Sequence, residues 1–511
     1  MGEQTVNRAK PCQLALFPLN NGATNVYFVL VLSYVLNFGS GVLGMGAVFV
    51  SIMITGMRVC DAVTDPIIGA LIDKTNGRFG KFRPFMVAGN LIMAVSVFLM
   101  YVLLPQAGPS MAGLRYLGFT ALYFLWVIGY TFQTSCTRSG QTVLTNDPKQ
   151  RPMFTLFNTI GSLAGMGAMQ VLAPIVGRLQ GGYNTPGFFA ALAPIGIVVS
   201  MVLTALAVVG IWEKDRAEYF GVGGPQERLR LSEYVQILRA NKPMQRLMAA
   251  GAGCKLALAI ATHTAVLCML YGSMMGDYDG LYLPMMIIGY ASSAPFFLLT
   301  IRTSQKKGQK ASLVRYVTAA LVCYGAVLAL LLLWRQGDPA WNLSILSGGG
   351  LSLNLYTLLF ILFFGAGYGA YYSTADMPIP MVADCSDYET YRSGRYIPGV
   401  MGTLFSLVDK LVSSLASLVV TAAVSVLGLS AIPDQYTPYV PGMNRVVIVL
   451  FCLIPMAAWA AALIAMRGYT LTGQRMKTIQ AVNAARKEAV ARGMTLEEAM
   501  TAITDGTVER P

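Results

Sequence analysis

Apolar runs of about 20 residues recur along nearly the whole chain, and this repetition restricts the fold more than any other feature. A run of that length crosses a hydrocarbon core of roughly 30 Å as an α-helix rising about 1.5 Å per residue. Within lipid only helices and closed barrels pair every backbone polar group, and these runs lack the period-2 alternation of barrel strands. The expected fold class is therefore an all-α membrane protein. Of 511 residues, 55% are hydrophobic and 12% charged, about half the charged fraction of a soluble domain. Twelve spans are expected, near residues 14–38, 44–72, 82–105, 115–140, 152–177, 184–212, 246–272, 280–301, 314–334, 352–378, 398–428 and 444–467.

The charges between spans assign an orientation. Lys74, Arg78, Lys81 and Arg83 follow the second span, Lys149 and Arg151 the fourth, Lys214, Arg216, Arg228, Arg230, Arg239 and Lys242 the sixth, and Arg302, Lys306, Lys307 and Lys310 the eighth. The opposite connections carry little beyond Arg115, Arg178, Arg335 and Arg445. Both termini are thus expected on the cytoplasmic side of the inner membrane. The net charge of +13 is spread over loops, so no nucleic-acid partner is expected. No short hydrophobic segment with a cleavage site precedes the first span, and no removable signal peptide is expected. The longest polar connection divides the chain. Residues 1–212 form a first six-helix bundle, 213–245 a cytoplasmic linker, 246–467 a second bundle and 468–511 a cytoplasmic tail. "LSEYVQILRANKPM" in the linker has the spacing of a helix lying on the membrane surface. The tail reads as partly helical and carries no recognisable chemistry. The eight cysteines lack paired spacing and read as small buried apolar residues. No metal centre or cofactor is expected.

The second span breaks its apolar character with "RVCDAVTDPIIGALIDK", followed at once by "GRFGKFRP". Arg58, Asp61 and Asp65 stand at i, i+3 and i+7, on one helix face. Asp61 lies ~18 Å and Asp65 ~12 Å from the cytoplasmic end near Asp73. A charge at such depth costs about 2.5–3.5 kcal/mol or more, so this face must look inward. Two carboxylates and one guanidinium leave a surplus negative charge. Pro66 frees the carbonyl of Ala62 as a further oxygen donor. Such donors suit a hard cation, sodium or a proton in its place. The alternative is a purely structural ion pair between Arg58 and an aspartate.

"DAVTDPIIGALID" with "GRFGKFRP" resembles a motif of the glycoside-pentoside-hexuronide:cation symporters, the melibiose permease family of the major facilitator superfamily. "MVADCSDYETYR", Met381 to Arg392, is similar to the family's connection between helices ten and eleven, and "LVDKLVSSLA", Leu407 to Ala416, to its helix eleven. A looser echo is "NDPKQRP" after the fourth span. The resemblance implies a major facilitator fold of two six-helix bundles and transport by alternating access. It implies that Asp61 and Asp65 hold the coupling cation, with Arg58 positioning them and Lys410 linking cation and solute.

Two acidic positions of the family are changed: its helix-one acid falls on Asn25 and its helix-four acid on Thr134, the latter a candidate for both cation and solute. Arg138 follows one turn later. Arg138, Lys255 and Lys410 at membrane depth need anionic partners, which Asp61, Asp65, Asp376, Asp409 or an anionic solute can supply. Asn25, Thr134, Arg138, Lys255, His263 and Lys410 are the candidate solute contacts. His263 reads either as a proton relay or as a hydrogen-bonded structural residue. Tyr27, Tyr34, Tyr130, Tyr368, Tyr371 and Tyr372 offer rings to a sugar face or simply to packing. Asp73, Arg78, Lys81, Arg83, Asp384 and Asp387 are expected to gate the cytoplasmic side.

The expectation is a monomer in lipid that carries a sugar or glycoside, a hexuronide-like anion included, in symport with sodium or protons. The alternatives are a lysolipid-type or other organic-solute carrier on the same fold, and a receptor or enzyme. An enzyme would need a convergent nucleophile with its base or a metal cluster, and the sequence offers neither.

Overall fold

The computed structural model describes residues 8–75, 77–144, 151–216, 236, 238–347, 350–375, 377–394, 398–429 and 431–504. It is helical almost throughout. The spans of the first half are α1 (Pro11–Val42), α2 (Ala47–Lys74), α3 (Arg83–Gln106), α4 (Ala112–Leu144), α5 (Arg151–Leu179) and α6 (Pro186–Ile211). α7 follows in two pieces, Lys242–Ala261 and Thr264–Met274, bent by 48° at their junction. Then come α8 (Tyr278–Lys307), α9 (Gln309–Leu333), the two short antiparallel strands β1 (Leu346–Ser347) and β2 (Gly350–Leu351), and α10 (Leu355–Tyr372). α11 (Pro378–Ser393) is short and polar; α12 (Pro398–Ser425) and α13 (Met443–Arg467) are spans. The tail forms α14 (Gly473–Ala491) and α15 (Leu496–Ala502).

Among the described residues, ten helices are long and apolar enough to cross a membrane, and the bent α7 passes as a pair. α2, with 28 residues, also has the length to cross a membrane. Among the described residues, ten spans, or eleven with the bent α7 taken as one, thus meet both length and apolarity, and α2 adds a helix of spanning length. The expected edges differ from the observed helix ends by a few residues, the usual uncertainty where a helix frays into a loop. Leu231 to Val235 and Ile237 of the linker helix expected within residues 231–244 lie outside the described residues, as do Asn146 to Gln150 of the fourth-span motif and Asp376.

The chain divides into two compact units, one of Met1–Gln226 with Thr421–Pro438, the other of Glu227–Val420 with Tyr439–Pro511. The segment Thr421–Pro438 joins the first unit through its own hydrogen bonds: Thr421 meets the Ser51 hydroxyl at 2.7 Å, and the Asn184 amide donates to the Ile432 carbonyl at 2.8 Å. Each unit has an aromatic core. In the first, Phe38 packs on Tyr101 and Phe189, with centroids 4.7 and 4.9 Å apart. In the second, Tyr324 packs on Trp459 and Phe451, at 4.9 and 5.8 Å. All of these rings are buried, which anchors the bundles with large apolar areas at defined angles.

Candidate functional site

The site is built around Asp61 on α2. Its side chain is 1% exposed. One carboxylate oxygen accepts a 2.7 Å hydrogen bond from the Thr131 hydroxyl of α4, and the other lies 3.6 Å from the guanidinium of Arg58, one turn earlier on α2. Arg58 is 14% exposed, so this is a desolvated pair, whose charges need such close partners. Thr64 donates back to the Asp61 carbonyl at 3.1 Å. Asp65 follows one turn on and is half-buried. The side chains of Pro66 and Asp73 lie outside the described residues.

Thr131 was not among the sequence candidates, whereas Thr134 was. The two hydroxyls stand one turn apart on α4. Thr134 donates to the carbonyls of Tyr130 and Thr131 at 3.0 and 3.2 Å, which spends its proton on its own helix and leaves its lone pairs as acceptors.

A buried amide network holds α4 from behind. Gln133 donates to the Met86 carbonyl of α3 at 3.0 Å and to the Thr204 hydroxyl of α6 at 3.1 Å, and accepts from Thr24 of α1 at 3.2 Å. Asn90 of α3 donates to the hydroxyls of Ser200 and Thr204, at 2.7 and 2.9 Å. Asn20 of α1 donates to Thr137 at 2.7 Å. Gln133 stands two residues from Thr131, so the two side chains leave α4 in roughly opposite directions. The side-chain N–H groups of Gln133, Asn90 and Asn20 all find acceptors, as burial in lipid-embedded protein demands, whereas the buried Asn20 Oδ1 accepts no hydrogen bond among the described residues. Asn25, half-buried on α1, donates to the backbone and side-chain oxygens of Asn21, at 2.8 and 3.1 Å. Arg138 is placed on α4, and its side chain lies outside the described residues.

In the second unit, Lys255 is half-buried on the first piece of α7 and Lys410 half-buried on α12. His263 marks the bend of α7: its imidazole nitrogen accepts from the Ala265 amide at 3.3 Å and caps the second piece. Of the six tyrosines, Tyr27, Tyr34, Tyr368 and Tyr371 are buried; Tyr34 packs on Tyr183 and Phe188, and Tyr371 on Tyr324 and Trp459. Tyr130 and Tyr372 are half-buried.

The basic loop after α2 finds its partner in Asp215, beyond the end of α6. The Asp215 carboxylate is 0% exposed and accepts from the backbone amides of Lys81 (2.8 Å), Phe82 (3.0 Å) and Arg83 (2.9 Å), and from the Arg83 guanidinium at 3.3 Å. Those amides open α3, where unpaired N–H groups and the helix dipole favour an anion. Arg83 also stacks over Trp212 at 4.4 Å. Gly80 has φ +89°, and a Cβ there would collide with Asp215. Arg78 is exposed and Lys81 half-buried. Sequence reading missed Asp215, one of three acids in the mixed-charge stretch from Glu213 to Glu218.

On α11, Glu389 is buried and accepts from Arg392 (2.6 Å), from Asn241 (3.0 Å) at the start of α7, and from Ser393 (3.1 Å). Asp384 and Asp387 are half-buried. Burial, with Asp387 close by, raises the Asp384 carboxyl to about 6.

The chain matches the family model described as MFS/sugar transport protein over residues 17–473. It is 32% identical to the inner membrane symporter YicJ of Escherichia coli (strain K12) over 37% of this chain and 40% of that one. It is 24% identical to the putative glycoside/cation symporter YagG of the same organism over 91% of this chain and 92% of that one. The glucuronide carrier protein homolog of that organism is also 24% identical, over 91% and 93% of the two chains. Among solved structures, the nucleoside transporter NupG aligns over 90% of this chain and 100% of its own, with a TM-score of 0.58 at 12% identity. A bacterial homologue of the iron transporter ferroportin, inward-facing, aligns over 89% and 97% with a TM-score of 0.57 at 14% identity. At such identities these two likenesses speak for the fold alone.

Proposed function

Since the chain belongs to the MFS/sugar transport protein family, we propose that it is a secondary transporter that carries a sugar or glycoside across the inner membrane in symport with sodium or protons, by alternating access. The observation that carries this reading is Asp61, a buried carboxylate within the α2 span, held between Arg58 and Thr131. A charge so placed is expensive and is kept for an ion or a proton pathway. Asp61 and Asp65 supply carboxylate oxygens, Thr131 supplies a hydroxyl oxygen 2.7 Å from Asp61, and Thr134 supplies another one turn along α4. Such an all-oxygen set suits a hard cation. Arg58 fixes the orientation of Asp61, and Lys410 couples cation to solute.

The names of relatives that cover nearly the whole chain, a putative glycoside/cation symporter and a glucuronide carrier homolog, support a glycoside as cargo. Asn25 and Thr134 are neutral, while Arg138, Lys255 and Lys410 are cationic, which favours an acidic glycoside over a neutral one. His263 belongs to the bend of α7 and contributes through that bend. Arg78, Lys81, Asp384 and Asp387 are the charges that change partners during turnover, with Asp73 and Arg83 flanking the loop. Both termini face the cytoplasm in this reading.

Thermal stability of the purified protein against a panel of neutral and acidic glycosides, with and without sodium and at two pH values, tests the proposal. An acidic glycoside is expected to raise the melting temperature more in the presence of the coupling ion. No shift with any glycoside under any condition counts against glycoside transport.

A further inference from the structure

The tail beyond α13 is docked. The family model ends at residue 473, where α14 begins, so α14 and α15 are additions to the matched transport core. Their partner is α11, the polar helix that links α10 to α12 and carries Asp384 and Asp387. The α14 face made by Met476, Ile479, Val482 and Arg486 is buried, a three-to-four-residue stripe facing the protein. Beside it, Gln480 donates to the Asp387 carboxylate at 3.4 Å and Asn483 to the Asp387 carbonyl at 2.9 Å.

Arg486, 9% exposed, is the centre of the contact. Its guanidinium donates to the Tyr391 carbonyl in the last turn of α11 at 2.7 Å, to Ile503 at 3.0 Å and to Met500 at 3.4 Å. It also lies 5.3 Å over the Tyr391 ring. The last carbonyls of a helix have no partner within it and carry the negative end of its dipole. One planar cation with five donors thus caps two helix C-termini together, α11 and α15. At Gly394, the left-handed residue that ends α11, a Cβ would meet Met500 and Leu496 of α15. α15 therefore closes over the end of α11 with no space between them.

We propose that the tail is a strap that restrains α11, so that releasing it speeds carrier turnover. A linker helix joined to spans at both ends must shift whenever those spans tilt. α11 is too polar to be held by lipid; it is held by Asn241 on one side and by the tail on the other. Freeing the tail side removes a charge-assisted anchor from the end that leads into α12. This inference rests on the transport reading above.

The test compares the full-length protein, Arg486→Gln, Arg486→Lys and a chain ending at Thr472. Amide hydrogen exchange is read across residues 385–394, and exchange of methyl β-D-glucuronide and methyl β-D-galactoside is read in proteoliposomes. Arg486→Gln and the truncation are expected to speed amide exchange in this segment about tenfold and glycoside exchange about fivefold, with Arg486→Lys between, as loss of one charge-assisted anchor implies. Unchanged amide exchange in both variants overturns the strap. Faster amides with unchanged or slower glycoside exchange overturn its restraining role. Should the unaltered protein carry neither glycoside while the tail still protects α11, the transport reading has failed and the restraining role falls with it, the docking contact alone surviving.

Discussion

Thr131 donates its hydroxyl proton to the carboxylate of Asp61 across 2.7 Å, joining α4 to α2 at a point where both side chains are buried. The contact turns a lone charged residue into an oriented one. It leaves the second carboxylate oxygen beside Arg58, so the direction in which Asp61 presents its charge is fixed from two helices' side chains.

Replacing Thr131 by Val keeps the volume and removes the donor. A buried acceptor without its partner costs about 1–3 kcal/mol, so the cation concentration for half-maximal transport should rise at least about fivefold. Thr131→Ser should retain most of the wild-type value. Cation titrations of transport in proteoliposomes read both.

Gln133 joins α4 to three other helices. Gln133→Leu removes three buried hydrogen bonds and is expected to destabilise the first unit by about 2–3 kcal/mol, seen as a lower melting temperature in detergent. If α4 acts on the cation through Thr131, the effects of Gln133→Leu and Thr131→Val on cation affinity will not add in the double variant.

Asp215 satisfies three backbone amides and one guanidinium at the start of α3. Asp215→Ala should cost about 2–4 kcal/mol, more than a usual helix cap, because the half-buried Arg83 loses its partner as well. Gly80→Ala should also destabilise, because φ is +89° and the new Cβ meets Asp215. Thermal unfolding and protease cleavage within residues 77–83 check both.

The α11 carboxyl Asp384 binds its proton more tightly when folded, at about 6 against an ordinary value of 3.8, chiefly because it is buried. Its contribution to stability is full below about pH 4 and is lost as pH rises through about 6. Asp384→Asn should therefore stabilise the protein at pH 7.5 by about 1 kcal/mol, discounted for partial exposure. The gain should shrink towards pH 4.5. Melting temperatures of the two proteins across this range measure it.

The membrane-spanning helices could be read from the sequence because lipid imposes a run length that little else imitates. Asp61 stood out for the same reason, as a charge where charges are costly. Thr131 did not, since one hydroxyl in a stretch rich in threonine and serine has no pattern of its own; its meaning arises when α2 lies against α4. Asp215 was hidden for another reason: its partners are backbone amides, which every sequence has. The tail carried a readable stripe in Met476, Ile479 and Val482, but the surface it covers, α11, is set by tertiary packing alone. The bend at His263 was likewise invisible, for the seventh span reads as continuous by hydropathy while the structure breaks it at residues 262–263.

The most direct test of ion-coupled transport is accumulation of methyl β-D-glucuronide in proteoliposomes under an imposed inward sodium gradient and, separately, an imposed proton gradient, comparing the wild type with Asp61→Asn. The proposed mechanism predicts uphill accumulation by the wild type under one of the gradients and none by Asp61→Asn under either. Accumulation by Asp61→Asn equal to that of the wild type would contradict it.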